Sequence, residues 1–130
     1  MTDTSTWRSP TAPFADTLGI IVEESPPGTG LLRIPLRPEL GNRKGDMHGG
    51  VILTLVDIAA SVAIRSSLTD YSGISSVSVS TNFIAPGKGD LTARSKLQRA
   101  GKRTAFVEVE VLDEGGALVA TGLVTSRIFR

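Results

Sequence analysis

Polar and apolar residues alternate along most of the second half of the chain. In "ISSVSVSTNFIA" (74–85) the alternation puts Val77, Val79, Thr81 and Phe83 on one face and Ser76, Ser78, Ser80 and Asn82 on the other. Period two is the signature of a strand with one covered face. "LTARSKLQRA" (91–100) predicts a second strand. "TAFVEVEVLD" (104–113) predicts a third, with Val107, Val109 and Val111 opposite Glu108 and Glu110, and "ALVATGLVTSRIF" (117–129) a fourth. The connections "PGKGD", "GKR" and "EGG" carry the Gly and Pro punctuation of tight turns. Earlier, "LGIIVEES" (18–25) predicts a short strand, "PPGTG" a turn, and "LLRIPLRP" (31–38) an extended segment whose Pro35 belongs at an edge or bulge. Only residues 49–67 predict a helix of any length. Its apolar residues point in every direction, so it should be buried on most sides.

Strands joined by tight turns pair antiparallel. The expected fold class is therefore α+β, a curved antiparallel sheet wrapped around one long central helix. Residues 14–130 form a single domain in this reading. Residues 1–13 form a flexible arm, packed only where Trp7 or Phe14 finds a pocket. An open sheet has edges that must be covered. Pairing with a second copy is the simplest cover, so at least a homodimer is expected, and a homotetramer if dimers pair again.

Composition narrows the chemistry. The 130 residues allow one domain with a real core. No cysteine and one histidine leave no disulfide framework, no thiolate chemistry and no metal site to expect. A net charge of +1, without a basic run interleaved with aromatics, gives no nucleic-acid footprint. The opening "MTDTSTWRSPTAPF" lacks the apolar centre of a signal peptide, and no stretch has the ~18 uninterrupted apolar residues of a membrane span. A soluble, cytoplasmic protein without nucleic-acid or membrane partners is expected.

Against that background, "GDMHGGVILTLVDIAASVAI" (45–64) stands out: it holds the only histidine, His48, and one carboxylate in an apolar run, Asp57. Burying an unpaired carboxylate costs several kcal/mol. Either Asp57 meets solvent or a lysine across an interface, or it faces a cleft and acts on a carbonyl, as nucleophile or as base to a water. His48 and Asp57 are nine residues apart. On one helix that is roughly 13 Å along the axis and on opposite sides. A site using both would combine two subunits. His48 could equally be a structural histidine at a helix start. Gly49 and Gly50 would offer the unpaired N–H groups and positive dipole end of a helix N-terminus, suited to an oxyanion, or would be a plain first turn. Ser76 lies on a serine-rich face that could be merely solvated. Lys88, Lys102 and Arg103 flank turns, where they could hold phosphates or simply meet water. No Gly-x-Ser-x-Gly elbow is present.

The set Asn42, Gly45, His48-Gly49-Gly50 and Asp57, followed by small helix residues, resembles that of the hotdog-fold acyl-CoA thioesterases. The resemblance is to the branch holding the phenylacetic-acid-degradation thioesterases and the acyl-CoA thioesterase 13 type. It runs over residues 15–128, including "SSVSVSTNFIAPGKGD" and "GKRTAFVEVEVLDEGGALVATG". It implies that Asp57 is the catalytic carboxylate, Gly49 N–H the oxyanion donor, Asn42 the residue orienting the thioester or the site, and Ser76 the residue placing the attacking water. It further implies hydrolysis of an acyl-CoA; Gly50, Lys88, Lys102 and Arg103, from the reading of the turns, are then the candidate contacts to CoA. The thioester is then the substrate and no cofactor is needed. A non-catalytic hotdog module binding acyl-CoA, or serving assembly, is the alternative from another class; Asp57 tells against it. The His-Phe-Pro-Gly of hotdog dehydratases is absent. With few aromatics, the chain leaves phenylacetyl, hydroxybenzoyl and medium-chain acyl groups open.

Overall fold

The computed structural model describes residues 12–130. Among these residues two helices, six strands and a short 3-10 turn (Pro38–Leu40) follow in order: α1 (Pro13–Leu18), β1 (Ile21–Glu24), β2 (Thr29–Ile34), α2 (Gly49–Ser67), β3 (Gly73–Phe83), β4 (Leu91–Ala100), β5 (Thr104–Leu112) and β6 (Leu118–Phe129). The strands form one antiparallel sheet in the order β1-β2-β4-β5-β6-β3. Helix α2 enters after the second strand and must cross the sheet to reach the far edge, where β3 begins. It packs on every strand from β2 to β3.

Alternation decides what lies beneath it. Leu32 and Ile34 of β2, Leu91 and Ala93 of β4, and Val107, Val109 and Val111 of β5 are buried against Leu55, Val56, Ala59, Ala60 and Ala63 of α2. The alanines let the helix lie low. The closest approach is at Gly122 of β6, where a Cβ would overlap the Val56 side chain.

Helix α2 spans the expected residues but is less enclosed than expected. Gly50 and Leu53 are exposed, and Thr54, Asp57, Ser61 and Arg65 half-buried. They recur at steps of three or four, which makes one stripe along the helix. The sheet covers the rest. By length and composition α2 would also suit a membrane crossing.

Two further expectations give way to corrections. Leu18 does not open a strand; it ends α1. Pro13 sits at the first helical position and Gly19, at φ 80°, terminates the last turn. Ala15 and Leu18 are buried beneath α1, whereas Phe14 is 60% exposed. Arg37 fastens the helix end, donating to the carbonyls of Leu18 at 2.9 Å and Thr17 at 2.5 Å. Trp7 lies outside the described residues.

The second correction concerns β3. Ser76 pairs opposite Ser126, but Ser78 pairs opposite Thr125, so Val77 is an extra, bulged residue. Ser126 is buried on the helix side of the sheet, and directly opposed residues share a face. Ser76 therefore faces α2, while Ser78, Ser80 and Asn82 face away from it. Simple alternation had grouped all four.

The two edges differ. β1 is four residues long and presents Glu23 and Glu24, a short charged edge of the kind that resists pairing. β3 is eleven residues long, holds no charged residue, and leaves Val77 67% exposed. Pro35 lies just beyond the end of β2.

Candidate active site

Three pieces of chain converge at the N-terminus of α2. The first is the turn 41–47. Gly41 and Met47 form an isolated antiparallel bridge, and Asn42 N–H donates to the Asp46 carbonyl at 2.7 Å. The Asn42 side chain closes the turn: its Oδ1 accepts from Lys44 N–H at 2.9 Å and Asp46 N–H at 3.1 Å. Gly45, at φ 85°, supplies the left-handed residue this turn requires. Asn42 thus shapes the approach to His48 through its oxygen, and its amide NH2 makes no hydrogen bond among the described residues.

The second piece is His48. Its extended backbone (φ −62°, ψ 139°) makes it the N-cap of α2, and its Nδ1 accepts the Gly50 N–H at 2.9 Å. In the neutral imidazole this leaves the proton on Nε2. The bond also spends the Gly50 N–H, which sequence had counted as free. The Gly49 N–H has no partner among the described residues; it is the unsatisfied donor of the first turn. The third piece is Phe83, at the end of β3. A Cβ on Gly49 would lie 3.5 Å from its ring. Phe83 is 56% exposed and Ile84 54%, so Gly49 lies beside an exposed apolar surface.

Asp57 lies nine residues further along α2. The axial rise separates it from His48 by roughly 13 Å, so no dyad forms within one chain. Its partner is Ser76, brought to the helix side by the bulge. The Ser76 hydroxyl donates to Asp57 Oδ1 at 2.5 Å. Oδ2 makes no hydrogen bond among the described residues. The carboxylate is half-buried on the open stripe of α2, with apolar neighbours Leu53 and Ile58. This answers the cost of an acid in an apolar helix: one oxygen is hydrogen-bonded and the other reaches the surface.

The basic residues do not converge. Lys88 lies in the turn before β4, whereas Lys102 and Arg103 lie in the turn after it. A ten-residue strand holds them roughly 30 Å apart. One chain cannot bring both turns to one phosphate cluster. The backbone of the second turn is fixed by Arg130, which donates to the Gly101, Lys102 and Asp70 carbonyls. A basic pair that sequence overlooked, Arg37 and Arg43, borders a cavity of about 470 Å³ with Asn42 and Gly45. A concavity of about 510 Å³ lies on the sheet between β2, β4 and β5, among Arg94, Lys96, Glu108 and Glu110, and includes none of the candidate catalytic residues.

Residues 44–120, which hold His48, Gly49, Asp57 and Ser76, match the model of the thioesterase superfamily. The chain belongs to that superfamily. The medium/long-chain acyl-CoA thioesterase YigI of Escherichia coli is 30% identical over 129 residues, 87% of this chain and 83% of YigI. The crystal structure of AziG from S. sahachiroi is 32% identical, with a TM-score of 0.85 over 92% of this chain and 98% of that one. The E. coli PaaI protein, from the phenylacetic acid degradation operon, has the same fold at 21% identity (TM-score 0.85, 97% and 89% covered). The fold is thus the hotdog fold, and the chain a thioester hydrolase.

Proposed function

We propose that this thioesterase hydrolyses acyl-CoA, with an aryl or medium-chain acyl group, at a site shared by two subunits. The observation that carries this reading is the Asp57–Ser76 pair on an open, otherwise apolar stripe. A module that only bound acyl-CoA would have no use for a hydrogen-bonded carboxylate there. The free Gly49 N–H supplies the complementary element, a donor for the oxyanion that forms when the thioester carbonyl is attacked.

Because Gly49 and Asp57 lie about 12 Å apart along the axis of α2 in one chain, each site takes Gly49 from one protomer and Asp57 with Ser76 from the other. The uncharged β3 edge and the open stripe of α2 are the surfaces that a second copy would cover. The Ser76 hydroxyl uses its proton on Asp57 Oδ1, and its lone pairs remain to accept from a water. This favours Asp57 as general base. Water attacks the thioester carbon while its proton passes to Asp57. The C–S bond then breaks, and the proton leaves with the CoA thiolate. YigI's medium- and long-chain acyl-CoA substrates support the acyl-CoA class, and the PaaI likeness keeps aryl groups within it.

The test is thiol release from aryl- and alkyl-CoA thioesters, wild type beside Asp57→Asn. A loss of about 10²–10⁴-fold with unchanged circular dichroism is the expected result. Equal rates would remove Asp57 from the mechanism. In ¹⁸O-water, a single turnover should label the product acid. Label in Asp57 would show an anhydride route instead.

A further inference from the structure

The open stripe of α2 continues past Asp57 to Ser61 and Arg65. Arg65 is half-buried, its Nε donating to Ser61 Oγ at 3.2 Å and its guanidinium 5.9 Å from the Tyr71 ring centre. Arg33, Arg37 and Arg94 each pair with a carboxylate. Arg65 has no such partner among the described residues. A cation in the last turn of a helix is favoured by the dipole. The Arg65 Nε reaches back one turn to Ser61 while the guanidinium carbon stays over Tyr71, beyond the end of α2, and the side chain donates to no carbonyl of the last turn among the described residues. Ser61 accepts from Arg65, so its own hydroxyl proton is free to donate. Two donors, one of them charged, thus stand at the same end of the stripe.

We infer that Ser61 and Arg65 close the acyl pocket and select acyl groups bearing a terminal carboxylate. This rests on the thioesterase reading of Asp57. Ser61 is four residues from Asp57, about 6 Å along the helix. With the thioester carbon at Asp57, an acyl chain of five or six carbons would put a terminal carboxylate at Ser61 and Arg65. Guanidinium and hydroxyl would then bind it by charge-assisted hydrogen bonds. The pantetheine arm spans roughly 15 Å, beyond Ser61 at about 6 Å and near the axial offset of Arg65, about 12 Å, so a CoA phosphate would engage Arg65 without Ser61, whereas a terminal carboxylate engages both.

Adipyl-CoA and hexanoyl-CoA have equal chain length and differ in the terminal carboxylate, so their relative kcat/KM reads the inference. Wild type should favour adipyl-CoA. Arg65→Met should lower kcat/KM for adipyl-CoA at least tenfold and leave hexanoyl-CoA within about twofold, and Arg65→Lys should restore part of the loss. Hydrolysis of hexanoyl-CoA with no preference for adipyl-CoA would overturn the inference alone. So would an equal loss on both substrates with weaker inhibition by free CoA, which would assign Arg65 to a phosphate. Dissociation of a wild-type dimer by Arg65→Met would also overturn it, since Arg65 would then hold the subunits together rather than the acyl group. Wild type inert toward both, and toward benzoyl-, phenylacetyl- and decanoyl-CoA, would overturn the acyl-CoA reading as well.

Discussion

Gly49 offers an unusually clean test at the scale of a single residue. Proline is at home at the first position of a helix, where its missing N–H costs no intrahelical bond. The residue before it must be extended, and His48 already is (φ −62°, ψ 139°). Gly49→Pro should therefore preserve α2 while deleting the free N–H. Loss of one oxyanion donor typically costs about 10²–10³ in kcat, and that loss is expected here at unchanged melting temperature. Full activity in Gly49→Pro would place the oxyanion elsewhere. His48 and Asn42 illustrate a different division of labour. Both were legible from the motif, yet their hydrogen bonds are to backbone: His48 to Gly50, Asn42 to Lys44 and Asp46. The structure gives each a share in shaping the loop that presents Gly49.

At the scale of elements, the position of Asp57 depends on how low α2 lies on the sheet. Gly122 sets that height, since any Cβ there would overlap Val56. Val56 is β-branched and stiff in a helix, so it cannot swing away. Gly122→Ala should lower stability by about 1–3 kcal/mol in urea unfolding, the range for overpacking. Val56→Ala in the same chain should recover part of that loss, because the two sites share one space. Independent, additive losses would show that the contact does not hold the helix. The bulge in β3 is the matching device on the sheet. Without Val77 as an extra residue, Ser76 would share a face with Ser78 and Ser80 and could not reach Asp57. Bulges re-aim side chains in this way beside active sites.

At the scale of the molecule, the proposed site draws Gly49 and Asp57 from different chains, because about 12 Å of helix axis separates them within one. The shared-site reading makes a prediction that needs no structure of the complex. Gly49→Pro and Asp57→Asn should each be inactive alone. Unfolded and refolded together, they should form heterodimers with one intact site of two, and recover about a quarter of wild-type activity in a two-fold dimer. No recovery in a mixture that light scattering shows to be dimeric would confine the site to one chain. In the shared-site reading, the contrast between a short acidic β1 and a long uncharged β3 makes β3 the edge on which a second copy would pair.

The strands β3 to β6, the limits of α2 and the separation of His48 from Asp57 can all be read from consecutive residues. These are local properties: period two, turn residues and helical rise act over a few neighbours and are written in consecutive residues. The match to the thioesterase superfamily followed from the same stretch. Only the tertiary structure decided the rest. The bulge at Val77 is set by the register of β3 on β6, which involves residues some fifty positions away. α1 is too short for a periodic signal, and stands because Ala15 and Leu18 find the core and Arg37 holds its end. The stripe that exposes Asp57, Ser61 and Arg65 exists because a single curved sheet covers only part of a helix, and periodicity cannot say which part.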